Sequence, residues 1–157
     1  MNNKSNIFML RAIELSINSV KFGGGPFGCV LVKNQKIIAE GTNEVTKSND
    51  PTAHGEIVTI RKACKNINNF NLSGTEMYTS CEPCPMCLSA IYWSHIDKIY
   101  YGNTRIDAAK IGFDDNYLYE ELKKDLSKRS IAMEQINQNE AKKAFEDWEN
   151  KTDKIKY

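Results

Sequence analysis

Apolar residues recur as Ile7, Leu10, Ile13, Leu15, Ile17 and Val20 across residues 6–22, with Arg11, Glu14 and Lys21 between them. That near-helical spacing predicts one amphipathic helix, and Gly23-Gly24-Gly25-Pro26 ends it. Two short apolar runs, 27–33 and 36–41, flank Asn34-Gln35 and predict an antiparallel hairpin. Asp50-Pro51 offers a cap followed by a first-turn proline, which predicts a helix over 52–64. Further on, 75–80 reads as strand, 85–93 as helix, 97–101 as strand, 131–136 as strand and 140–148 as helix. Strands alternating with helices imply an α/β layered fold. Residues 122–129 are a charged stretch with the composition of a mobile segment.

The 157 residues suit a single domain, expected to span 1–157. With 41% hydrophobic and 26% charged residues the chain lies far from the compositions of disordered and fibrous proteins. No apolar run approaches the roughly 18 residues of a membrane span, and residues 1–10 are too polar for a signal peptide, so a cytoplasmic protein without a membrane partner is expected. Lys and Arg total 21 against 20 Asp and Glu, which gives no bulk attraction for nucleic acid and favours a small neutral partner. Cysteines at 29, 64, 81, 84 and 87 make an odd count with no export signal, which argues for thiols and metal ligands over disulfides.

Pro83-Cys84-Pro85-Met86-Cys87 places two thiols three positions apart at a predicted helix start, where the partial positive charge of the helix favours thiolates. Thirty residues upstream, His54-Gly55-Glu56 adds an imidazole and a carboxylate. His-x-Glu followed by Pro-Cys-x-x-Cys is the pattern of zinc-dependent base deaminases. His54, Cys84 and Cys87 as three ligands would leave zinc an open position, as in catalytic sites, with Glu56 as the nearby base. A closed structural site that adds Cys81 is the alternative. His95 reads as a loop histidine, and Cys29 and Cys64 as small buried hydrophobes.

These motifs, with Gly24-Gly25-Pro26-Phe27-Gly28, Asp50-Pro51-Thr52-Ala53-His54 and the run from Tyr78 to Cys87, resemble the cytidine deaminase superfamily and most closely the bacterial guanine deaminases. The resemblance implies a three-layer α/β/α fold around a mixed five-stranded sheet, with one Zn²⁺ per subunit held by His54, Cys84 and Cys87. It implies that Glu56 carries a proton from water to a ring nitrogen of guanine, that water adds at C2, and that ammonia leaves to give xanthine. Asp115, in the segment from Ile106 to Asp115, matches a carboxylate that contacts the purine and assists the leaving amine. Asn43 resembles the amide that reads the purine edge, while Ala53, Phe27 and Trp93 would line or sandwich the base. The resemblance also implies a homodimer in which a swapped segment, about 131–157, brings Tyr157 over the partner's pocket. Gly55 is a departure, because these enzymes usually carry alanine there.

A tRNA adenosine deaminase shares the zinc pattern but needs cations for phosphate. From residue 123 onward nine Lys and Arg face seven Asp and Glu, a weak platform for RNA. Guanosine or another aminated ring is a nearer alternative substrate. A zinc-stabilised interaction module without catalysis is the reading from another class, in which Glu56 would be a surface acid.

Overall fold

The computed structural model describes residues 3–156, with side chains from residue 6 onward. The chain divides into two compact units, Met1–Asp115 and Asn116–Tyr157.

The first unit begins with helix α1 (Asn3–Lys21), followed by strands β1 (Gly28–Lys33) and β2 (Lys36–Thr42) and the short helix α2 (Val45–Ser48). Helix α3 (Gly55–Ile67), strand β3 (Thr75–Cys81), helix α4 (Pro85–Trp93), strand β4 (Lys98–Asn103) and helix α5 (Arg105–Lys110) complete it. The strands form one mixed sheet in the order β2-β1-β3-β4. β1 runs antiparallel to both β2 and β3, whereas β3 and β4 are parallel. Two connections cross over the sheet, β2 to β3 through α3 and β3 to β4 through α4.

β1 is central and buried on both faces, and its alternation sorts the core. Cys29 and Leu31 point to one side, where Ala39, Ala63, Leu72, Met77 and Ile91 complete a cluster under α3 and α4. Val30 and Val32 point to the other side and pack with Ala12 and Tyr78 beneath α1. On that second face the Tyr78 and Tyr100 rings stack at 4.5 Å and Phe8 tilts against Tyr78 at 5.4 Å, contacts worth about 0.5–1.5 kcal/mol each beyond their burial. Gly28 lets α1 approach closely, since a Cβ there would stand 2.4 Å from the Ala12 carbonyl oxygen.

Two sequence expectations change here. α3 begins at Gly55, three residues late, because Asp50 does not cap it. Asp50 Oδ1 instead accepts from the Thr52 N–H at 2.8 Å and the Thr52 hydroxyl at 2.6 Å, closing a separate turn around Pro51. Among the described residues the sheet has four strands rather than five, for residues 131–136 form no strand. Ile131, Met133 and Ile136 are exposed there, and apolar alternation makes a strand only where a neighbouring strand accepts its hydrogen bonds.

The second unit holds α6 (Asn116–Lys123), a 3₁₀ turn (Leu126–Lys128) and α7 (Gln138–Asn150). Glu121 anchors it locally, its carboxylate accepting from the Ser130 N–H at 2.8 Å and the Ser130 hydroxyl at 3.1 Å. None of its described residues is buried.

Candidate active site

Two helix N-termini on the same face of the sheet meet at one point. His54 is the N-cap of α3 and Cys84 the N-cap of α4, both in extended backbone, with Pro85 at the first helical position of α4. Cys87 lies one turn further along α4 and Glu56 in the first turn of α3. At α4 the local sequence dictates this, because proline tolerates a first turn and stops the helix from extending backward through Cys84.

Nδ1 of His54 stands 3.5 Å from the sulfurs of both Cys84 and Cys87. The three donor atoms lie within 4.8 Å of one another and form the one such group among the described residues. A tetrahedral zinc with Zn–N near 2.0–2.1 Å and Zn–S near 2.3 Å separates its nitrogen and sulfur ligands by about 3.5 Å. The donor set therefore fits zinc in both chemistry and spacing. Hydrogen bonding from Cys87, followed by that of His54, draws the Cys84 thiol down to about 4, so it is a thiolate at neutral pH. The Cys87 thiol is pushed up because it carries the proton shared with Cys84. The bond to Cys84 raises the His54 imidazole.

Glu56 is buried beside this group at 6% exposure. Burial raises its carboxyl above the usual range, with the Cys84 charge adding to the rise. Its Oε1 accepts from the Thr79 hydroxyl on β3 at 3.0 Å. Thr79 escapes the sequence reading because the contact joins residues 23 positions apart on different elements. A polar residue in a strand that buries Met77, Tyr78, Thr79 and Ser80 together is the signal that was available.

Cys81 takes no part in the donor group. Its thiol is directed at the Thr104 carbonyl oxygen at 3.6 Å, and burial lifts it to about 11. Cys81 thus lies outside the three donors that come within 4.8 Å of one another, which favours the three-ligand set over the closed four-ligand alternative. Cys29 lies in the core and His95 is an exposed residue in left-handed conformation after α4, as expected, whereas Cys64, expected to be buried, is only partly so and packs against the core edge.

Asp115 is half-buried at the end of the first unit, its carboxyl raised by burial and then by the negative charge of Cys84. The loop that carries it is tied back by Phe113, whose ring meets Phe27 edge-on at 4.9 Å. Asn43 follows β2, and its Oδ1 accepts from the Val45 N–H at 3.1 Å. Ala53 is buried beside His54, with its N–H given to the Asp50 carbonyl and its own carbonyl taken by the Glu44 N–H. Trp93 is not brought to the group. It is the last residue of α4, about 14 Å along the helix from Cys84, and is 68% exposed. Its apolar run looks the same in sequence whether it faces inward or outward. Tyr157 lies outside the described residues. A groove of about 550 Å³ between the end of α1 and residues 42–47 is lined by Asn18, Ser19, Phe22, Asn43 and Lys47 among others, and of the expected site residues only Asn43 borders it.

Gly55 has room for a methyl group. A Cβ there would meet the Phe27 carbonyl oxygen and Thr42 at 3.6 Å and the Asn43 nitrogen at 3.7 Å, ordinary contacts on the β2 side of α3.

Residues 2–103 match the profile of the cytidine and deoxycytidylate deaminase zinc-binding region. Guanine deaminase of Bacillus subtilis is 48% identical over 151 residues, covering 96% of this chain and 97% of that protein. The X-ray structure of that B. subtilis enzyme superposes with a TM-score of 0.95 and covers 100% of this chain and 99% of its own. A tRNA-specific adenosine deaminase of Buchnera aphidicola is 36% identical over 134 residues, 85% of this chain and 82% of its own length. With its profile matched across the residues that bear all three donors, the chain belongs to the cytidine and deoxycytidylate deaminase zinc-binding family.

Proposed function

We propose that this protein is a hydrolase that deaminates guanine to xanthine and ammonia. The observation that carries the reading is the near full-length similarity to a guanine deaminase, joined to a three-donor group with a buried carboxylate beside it. The similarity to a tRNA-specific enzyme is lower and covers less of the chain.

His54, Cys84 and Cys87 hold zinc in this reading, and zinc when bound supplies the Lewis acidity that makes water a nucleophile at neutral pH. Glu56 takes a proton from that water and returns it to a ring nitrogen as C2 becomes tetrahedral. Burial raises its carboxyl, which favours the protonated form that the second of these transfers needs. Asp115 serves the departing amine, passing to it the remaining proton of the added water so that the C–N bond breaks, ammonia leaves and C2 becomes a carbonyl. Asn43 is oriented by the bond from Val45, which occupies its oxygen and leaves the amide N–H donors for the guanine carbonyl. Phe27 supplies a ring face for the purine, with Phe113 fixing that ring from the side. Ala53 shapes the wall next to His54.

The chain acts in the cytoplasm, as one deaminase domain in a homodimer with one zinc per subunit, its C-terminal segment exchanged so that Tyr157 closes the partner's pocket. Trp93 joins the pocket in that assembly. Support comes from α7, where Ala141, Ala144, Phe145 and Trp148 form an exposed stripe at helical spacing. A 13-residue helix with no buried residue is marginal in water and needs a surface to pack on. No helix of the described residues is long and apolar enough to cross a membrane.

The test is ultraviolet detection of xanthine together with ammonia release from guanine, with Glu56→Ala beside the unaltered protein. Turnover by the unaltered protein alone supports both substrate and base. Turnover of guanosine or of a tRNA adenosine in preference to guanine overturns the substrate assignment.

A further inference from the structure

We infer that Thr79 is a positioning residue for the Glu56 carboxylate: its hydroxyl pins Oε1 and so fixes which oxygen of Glu56 is left to carry protons. The inference rests on the role given to Glu56 above.

The geometry that supports it lies across two layers of the fold. Glu56 rides on α3 and Thr79 on β3, and the 3.0 Å bond between them links helix to sheet at a point where both side chains are buried. Thr79 is 1% exposed, so no water competes for its hydroxyl. A β-branched side chain in a strand has few χ1 choices, and Thr79 therefore presents its oxygen in one direction. A glutamate has three side-chain torsions, and with neither oxygen held its carboxylate would swing between orientations.

Cys29 decides the direction of the bond. It stands opposite Thr79 in the antiparallel register of β1 and β3, on the same face of the sheet. Burial keeps it a neutral thiol that meets the Thr79 side chain, and a neutral sulfur is a weaker acceptor for the Thr79 proton than a carboxylate. The single hydroxyl proton goes to Glu56.

Packing alone does not demand a hydroxyl here. Valine has nearly the same shape, and the neighbouring positions on this face are Cys29 and Met77. What valine lacks is the donor: the carboxylate would keep its contacts with its own backbone N–H and with Cys87 but lose the one that ties it to the sheet.

The experiment compares Thr79→Val, Thr79→Ser and Glu56→Ala in the zinc-loaded protein, reading kcat and KM for guanine, zinc content and thermal midpoint. Thr79→Val should lower kcat by about 10- to 100-fold, the scale set by misplacing a reacting group, with KM within about twofold and zinc unchanged. Thr79→Ser, which keeps the donor, should recover kcat to within about threefold. In the thermal midpoint the cost of Thr79→Val should vanish in a Glu56→Ala background, because the acceptor is already gone. A Thr79→Val kcat equal to the unaltered protein's, a loss of zinc with the loss of kcat, or equal midpoint costs in both backgrounds would overturn the assignment. Full turnover by Glu56→Ala would instead overturn the role of Glu56 itself, and Thr79 with it.

Discussion

His54 and Cys84 meet at 3.5 Å, and each is the N-cap of its own helix. Residues 30 positions apart are thus brought together by two helix starts, and the partial positive charge of both starts lies where thiolate and carboxylate collect. The site is an electrostatic consequence of how the two helices begin.

Metal content should separate Cys84 from Cys81. Cys84→Ser removes one of three donors, and zinc measured by mass spectrometry after dialysis should fall from about one per chain to below about a tenth. Cys81→Ser touches only the contact with the Thr104 carbonyl and should leave zinc unchanged. Equal losses in the two variants would restore the four-ligand arrangement.

Gly55→Ala tests whether the departure from the usual alanine serves the pocket. The added methyl group faces Phe27, Thr42 and Asn43 backbone at ordinary contact distance. Helix propensity then favours alanine by up to about 1 kcal/mol, and urea unfolding should report a gain of that order with guanine turnover retained. A loss of stability, or a change in the preferred substrate, would show that the glycine is needed.

Much of this was readable in the chain because it is local. His54, Glu56, Cys84 and Cys87 announce themselves through spacing and through proline at a helix start, and the hairpin around Asn34-Gln35 through its apolar runs. What escaped depends on distance in space. Asp50 looks like a helix cap until its side chain is seen to close its own turn on Thr52. Residues 131–136 carry the alternation of a strand, but alternation says nothing about whether a neighbouring strand is within reach. Helix α5 carries a signal in the sequence itself, the reciprocal capping box of Thr104 and Asp107, but at six residues it is too short for apolar periodicity to show. Thr79 stands out in sequence only as a polar residue in a strand, and its partner Glu56 shows only once α3 is seen to lie above β3.

The apolar stripe of α7 gives a direct test of assembly. Phe145 is 79% and Trp148 43% exposed, and in a swapped homodimer both are covered by the second copy. Phe145→Glu with Trp148→Glu should halve the mass found by sedimentation equilibrium while zinc content stays the same. A monomeric unaltered protein would exclude the exchange.

Acid sensitivity should trace to the pair that clamps α1 to β2. Arg11 grips Glu40 with two nitrogens, Nε to Oε1 at 2.8 Å and a terminal nitrogen to Oε2 at 2.7 Å, a fork geometry stronger than a point contact. The Arg11 hydrogen bonds hold the Glu40 carboxyl below its ordinary value of 4.5. A carboxyl depressed in the folded state contributes stability that is fully present above its unfolded value and is lost as pH falls through the folded one. Both side chains are about one-third exposed, so solvent screening limits the contribution to about 1 kcal/mol or less. Glu40→Gln should therefore unfold at lower urea than the unaltered protein at pH 7, and the gap should close as the pH is taken below 4.5 and Glu40 protonates. A gap that stayed constant into acid would mean that Glu40 acts through packing and not through its charge.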